Sequence, residues 1–194
     1  QDGGLGGCSV HSSYLTCTRE TFMNISVFGM GYVGSVSAAT FAEDGHTVIG
    51  VDVNPTKVDL LNAGQSPIVE PGLPELVAAN VAAGRLRATT SAAEAIAASD
   101  LSLISVSTPS RRNGSLDLTH LTRVCEQVGA ALQHHTPYHV VVIRSTVLPG
   151  TTHETVIPTL ERTSGKRYGI DFGVSVNPEF LREGSAVSDF MRPD

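Results

Sequence analysis

Residues 24–52 carry the pattern that most restricts how this chain folds. A short apolar run (Ile25, Val27, Phe28) meets Gly29-Met30-Gly31-Tyr32-Val33-Gly34 at once. A segment of small and apolar residues comes next, and a second apolar run, Val48 to Val51, ends in Asp52. Strand, glycine turn, helix, strand and acid, in that order, form the dinucleotide-binding fingerprint in the context it requires. Gly29 permits the tight turn, Gly31 lets the backbone approach a pyrophosphate, and Gly34 lets the helix pack closely on the strand. The start of the helix offers free N–H groups and a positive dipole end to phosphates. Asp52, eighteen residues beyond Gly34, is placed to accept hydrogen bonds from ribose hydroxyls. A carboxylate there repels a 2′-phosphate, so it favours NAD over NADP.

Composition narrows the partners. A net charge of -6 with no basic run argues against nucleic acid or an anionic membrane surface. Nothing approaches the run of about 20 apolar residues that a membrane span needs. Cys8, Cys17 and Cys125 have neither metal-ligand spacing nor a disulfide pattern, so no metal is expected and a reduced, cytoplasmic setting fits. Residues 1–22 share no periodicity with the rest of the chain and lack the basic start and apolar core of a signal peptide. They are expected to be a disordered leader foreign to the domain, which spans 23–194 from Met23, the natural start.

From Met23 strand and helix alternate. Helices are expected over Tyr32–Glu43, from Asn54-Pro55 onward, and over Leu73–Ala83, Ser91–Ala98 and Asp117–Gln133. Asn54 is a helix cap and Pro55 suits the first helical position. Further strands are expected at Leu86–Thr89, Leu101–Val106, His139–Ile143 and Gly173–Val176. Six strands joined by crossover helices make an α/β fold, a Rossmann-type doubly wound parallel sheet with flanking helices. On Asp117–Gln133, Leu118, Leu121, Val124, Val128 and Leu132 share one face, and Cys125 beside them reads as a small buried apolar residue. Lys57 is either a plain surface lysine or a residue over the ribose just beyond Asp52. Arg111 and Arg112 leave some room for NADP.

Open α/β sheets place ligands at the carboxyl ends of their strands. Four polar loops leave there: Gly29–Gly34, Ser107-Thr108-Pro109, Ser145–Thr151 and Asn177–Glu183. Pro109 holds Thr108 extended, so the Thr108 hydroxyl could face a cofactor. Glu179 and Glu183, four apart, share a face if their segment is helical. With the Thr146 hydroxyl they could then hold and activate a water. The plainer alternatives are Thr146 as a cap for the helix after Pro149 and the glutamates as solvated charges.

Five motifs occur in order: Gly-Met-Gly-Tyr-Val-Gly, Ser-Pro-Ile-Val-Glu-Pro-Gly-Leu, Ser-Thr-Pro, Arg-Ser-Thr-Val-Leu-Pro-Gly-Thr and Asn-Pro-Glu-Phe-Leu-Arg-Glu-Gly. Through them the chain resembles the nucleotide-sugar 6-dehydrogenase family, the UDP-glucose and GDP-mannose dehydrogenases, from Met23 to Asp194. The residues after Ser-Thr-Pro look closer to the GDP-mannose branch. The resemblance implies oxidation of a sugar C6 alcohol to a carboxylate in two hydride transfers with NAD, the second passing through a cysteine thioester that water hydrolyses. It implies that Tyr32, Val33, Asp52, Lys57, Thr108 and Thr146 touch NAD. Thr146, Glu179 and Glu183 would order water and the reacting carbon, and Leu181 and Glu183 would lie near the substrate, a nucleotide sugar. The family's nucleophilic cysteine, its central dimerising helix and its nucleotide-sugar domain have no counterpart motif here. The chain is therefore expected to bind NAD without turnover, and the full-length form to be a homodimer or larger. A stand-alone NAD-binding module is the competing reading.

Overall fold

The computed structural model describes residues 22–192. Six strands form one parallel sheet in the order β3-β2-β1-β4-β5-β6: β1 (Asn24–Phe28), β2 (Thr47–Val51), β3 (Leu86–Thr89), β4 (Leu101–Ile104), β5 (His139–Ile143) and β6 (Phe172–Val176). The helices are α1 (Tyr32–Glu43), α2 (Pro55–Asn62), α3 (Leu73–Ala82), α4 (Ala92–Ala97), α5 (Thr119–Leu132), α6 (Ile157–Ser164) and α7 (Ala186–Met191). The expected doubly wound sheet is present, with its order reversing between β1 and β4. The expected leader falls, but for Phe22, outside the described residues.

The strands read as near-continuous apolar runs because both faces are covered. Alternate residues divide between two cores. Ile25, Val27, Val48 and Leu103 pack under α1, α2, α3 and α7. Phe28, Ile49, Ile104, Val141 and Ile143 pack under α4, α5 and α6. Cys125 is fully buried in the second core beside Leu121 and Val128, as its place along the apolar stripe implies. Local signals set the helix starts. Asn54 accepts from the Thr56 N–H at 3.0 Å, and Ser91 accepts from the Glu94 N–H at 3.2 Å, each a side-chain cap.

Beyond shifts of one or two residues at several element ends, three local features differ from the sequence expectation. The fourth strand stops at Ile104 rather than Val106, because the Ser145 hydroxyl takes the Val106 N–H at 2.9 Å and donates to the Val106 carbonyl at 2.7 Å. Those backbone groups are then satisfied without a ladder. The helix after Pro149 begins with a π-helical turn, Thr152–Val156, that lacks a side-chain cap, so Thr146 does not cap it. Residues 177–182 are not helical. Pro178 breaks the segment and the Glu179 carboxylate takes the Leu181 N–H at 2.7 Å. Glu179 and Glu183 therefore do not share a helix face.

A chain of buried polar groups crosses the sheet on the α4–α5 side. Ser99 Oγ lies 3.0 Å from Ser26 Oγ, which lies 2.7 Å from Ser102 Oγ, itself 2.7 Å from His139 Nε2. Burial, with the nearby His135, pushes the His139 pKa down to about 4. An unfolded histidine titrates near 6.5, so between these values the unfolded chain binds a proton that the folded chain refuses. Stability is therefore expected to fall as pH drops from about 6.5 to about 4, by up to about 3 kcal/mol from this group alone. Urea midpoints across that window test it: in His139→Gln the slope should flatten, and an unchanged slope would assign the acid sensitivity elsewhere. Among the described residues no helix is long and apolar enough to cross a membrane.

Candidate functional site: the carboxyl edge of the sheet

The first turn after β1 is built for a backbone–anion contact. Gly29 has φ +95°, and its N–H donates to the Val51 carbonyl at 2.7 Å, locking the turn onto β2. A Cβ on Gly34 would sit 1.8 Å from the Gly29 carbonyl oxygen, so α1 and the turn touch backbone to backbone. Gly31 differs: beyond its two chain neighbours, a Cβ there would meet no protein atom within 4 Å. The protein itself leaves that space open, as a group lying over the turn requires. Gly31 is also the N-cap of α1, with no side-chain cap and no acidic residue in the first turn. The N-terminal amides of Tyr32, Val33 and Gly34 are thus left for an anion, and a dinucleotide pyrophosphate fits the cradle.

Asp52 stands at the end of β2. One oxygen accepts the Met30 N–H at 2.8 Å and the other the Asn54 N–H at 2.9 Å. The carboxylate is thereby fixed in orientation, with lone pairs left on both oxygens. Lys57 Nζ lies 3.6 Å away, with the Asp52 side chain 10% exposed. Lys57 is therefore the ion partner of Asp52. Both line a cleft of about 370 Å³ that also takes in Gly29, Gly31 and Ser107. Its far wall is the outer face of α5, which presents His120, Arg123 and Gln127. Sequence reasoning passed over these three, although their spacing of three and four places them on one helix face. Arg111 instead pairs with Asp117 at 3.0 Å, and together with Arg112 it lines a separate hollow.

The loops after β4 and β5 are tied together. Besides the Ser145 contacts, Thr108 Oγ1 donates to the Thr146 carbonyl at 2.6 Å. The Thr108 proton is committed there, and its lone pairs remain available. Thr146 itself is exposed. Its neighbour Arg144 is buried, lies 5.3 Å over the Phe190 ring and donates to the Asn177 side chain. Burial lowers the Arg144 pKa while the charge of Glu179 opposes that shift.

The loop after β6 carries Glu179, Leu181 and Glu183. The charge of Glu179 acts on Arg144, whereas that of Glu183 acts on Tyr32. Among the described residues no hydrogen bond joins the two glutamates, or either to Thr146. The fold brings them to one edge without assembling them into a contact set. Leu181 is half-buried against the α1-side core. The Tyr32 hydroxyl donates to Glu70 at 2.6 Å, so what Tyr32 offers at the glycine turn is its backbone N–H. Glu70 is 3% exposed and has no counterpart in the roles read from sequence. Among the described residues, no group of three or more His, Cys, Asp or Glu side chains is gathered to hold a metal ion.

Residues 23–194 match the UDP-glucose/GDP-mannose dehydrogenase family, NAD binding domain. The GDP-mannose 6-dehydrogenase of Azotobacter vinelandii is 56% identical over 171 residues, 88% of this chain and 39% of that protein. The UDP-glucose 6-dehydrogenase AglM of Haloferax volcanii is 46% identical, over 89% of this chain and 40% of that protein. Among solved structures, a ternary complex of GDP-mannose dehydrogenase from Pseudomonas aeruginosa superposes with a TM-score of 0.87 at 53% identity, covering 88% of this chain and 39% of that one. The chain thus spans about two fifths of the length of these relatives. The chain therefore belongs to the UDP-glucose/GDP-mannose dehydrogenase family, through that family's NAD-binding domain.

Proposed function

We propose that this chain is the NAD-binding part of a GDP-mannose 6-dehydrogenase, which oxidises the C6 alcohol of the sugar to the carboxylate of GDP-mannuronate. The observation that carries the cofactor half is the open space over Gly31 beside a carboxylate held by two backbone amides. GDP-mannose is favoured over UDP-glucose by the higher identity to the GDP-mannose enzymes, 56% against 46%. Tyr32, Val33 and Gly34 would bind the pyrophosphate through their N–H groups, and Asp52 would take the ribose hydroxyls. Thr108, Thr146 and Lys57 would line the rest of the cofactor path. NAD, when bound, supplies the hydride acceptor. Glu179 and Glu183 would hold the water and the reacting carbon, with Leu181 beside the sugar.

Cys125 is the one cysteine among the described residues. Burial pushes its thiol up to about 12, which rules it out as a thiolate nucleophile at neutral pH. We therefore infer that this chain binds NAD but does not turn over a nucleotide sugar on its own. The full-length form would act as a homodimer or larger in the cytoplasm.

Calorimetric titration with NAD tests the reading. Saturable binding is expected, weaker for NADP. Asp52→Ala should raise the dissociation constant by roughly 10- to 100-fold, because it removes charge-assisted hydrogen bonds to the ribose together with the tether on the Met30 N–H. Equal affinity for NAD in wild type and variant would remove Asp52 from the site.

A further inference from the structure

Glu70 belongs to the loop between α2 and α3, far in sequence from the partners of its carboxylate. One carboxylate oxygen accepts the Tyr32 hydroxyl at 2.6 Å and the Gly184 N–H at 2.9 Å, and the other accepts the Ala186 N–H at 2.8 Å. Burial alone would raise its pKa. The Tyr32 hydroxyl and the Gly184, Ala186 and Val187 amides outweigh that and hold the carboxyl below the ordinary range. In turn, burial and the Glu70 charge push the Tyr32 hydroxyl up to about 12, so the phenol stays a donor and the carboxylate an acceptor throughout the neutral range.

The three partners lie on two different parts of the site. Tyr32 is the first residue of α1, whose N-terminal amides form the anion cradle. Gly184 and Ala186 bracket the start of α7, and Ser185, the N-cap of α7, makes no side-chain cap bond. A carboxylate from another loop therefore supplies the cap that the local sequence omits. The Tyr32 hydroxyl also lies 3.3 Å from the Arg182 carbonyl, one residue before Glu183. At its other end the loop is held by Arg144 on Asn177. Glu179 and Glu183 lie between Asn177 and the Gly184 amide held by Glu70.

We propose that Glu70, with Tyr32, is a positioning residue. It docks the post-β6 loop onto the first turn of α1, so that order in the loop and occupancy of the glycine turn are energetically coupled. This rests on the reading of that loop as the carrier of the water-ordering acids. Coupling of this kind is reciprocal: a ligand that stiffens the α1 start also stiffens the loop.

Residue-resolved amide hydrogen exchange on this chain tests the tether without any nucleotide. In Glu70→Gln, exchange at Gly184 and Ala186 should accelerate by tenfold or more, while the sheet amides of Val48 and Val140 keep their protection. Tyr32→Phe removes one hydroxyl, and should produce a smaller acceleration confined to the same two amides. Unchanged exchange at both positions, or an acceleration spread equally over the sheet, would overturn the proposal, the latter by making Glu70 a general fold residue. Saturating NAD should slow the two amides in the wild type and leave them unaffected in Tyr32→Phe. NAD that binds yet slows them equally in both proteins would refute the coupling. Failure of NAD to bind would overturn the functional reading, and the nucleotide-free comparison would still decide the tether.

Discussion

Gly34→Ala is expected to lower the melting temperature of this chain by about 10 °C, corresponding to a loss of roughly 3 kcal/mol. The added Cβ would lie 1.8 Å from the Gly29 carbonyl oxygen and 3.0 Å from its carbonyl carbon. Both are backbone atoms, so no side-chain rotation relieves the clash. Gly29 cannot yield freely either. Its φ of +95° and its hydrogen bond to Val51 fix it between β1 and β2, and a Cβ on Gly29 itself would meet the Ser105 carbonyl at 2.6 Å. Relief must come from shifting α1 away from the sheet. Val36, Ala38, Ala39 and Ala42 on that helix are fully buried, so a shift opens gaps along its whole length. Differential scanning calorimetry decides the point. A melting temperature within about 2 °C of wild type would mean that the helix and turn are not held in this close approach.

What the sequence disclosed and what it hid differ in range. The glycine turn, Asp52, the Asn54-Pro55 start and the Ser91 cap act on neighbours within a few positions, so spacing alone reveals them. The apolar strands are equally legible because a sheet covered on both faces needs Val and Ile throughout. The end of β4 is not local. It depends on a hydroxyl from Ser145, 39 positions from Val106. The role of Glu70 is hidden for the same reason, since its partners Gly184 and Ala186 lie 114 and 116 positions away. In the sequence, Glu70 between a valine and a proline looks like any loop carboxylate. Glu179 and Glu183 mislead in the opposite direction. Their spacing of four suggests a helix face, but Pro178 and the Glu179–Leu181 contact set a non-helical path. Topology draws the candidate residues to one edge, whereas their pairing is set by contacts that no local pattern encodes.

Gly31→Val should separate binding from folding, with NAD affinity reduced 100-fold or more and the melting temperature lowered by no more than a few degrees. The backbone at Gly31 has φ −83° and ψ −161°, extended geometry that any residue adopts. Beyond its two chain neighbours, no protein atom lies within 4 Å of the position a Cβ would take. The fold therefore loses only the N-cap preference for glycine over valine, about 1 kcal/mol. Binding loses far more. A pyrophosphate must come within hydrogen-bond distance of the α1 amides, about 3 Å, and the branched methyl groups of valine would occupy the approach. A 100-fold loss corresponds to about 2.7 kcal/mol, less than the combined worth of the charge-assisted bonds that would be pushed apart. Beside Gly34→Ala, the comparison assigns different duties to two glycines three residues apart: one is required by the protein and the other by its ligand. Calorimetric titration of both folded variants reads this directly. NAD binding to Gly31→Val within threefold of wild type would mean that the dinucleotide does not lie over this turn.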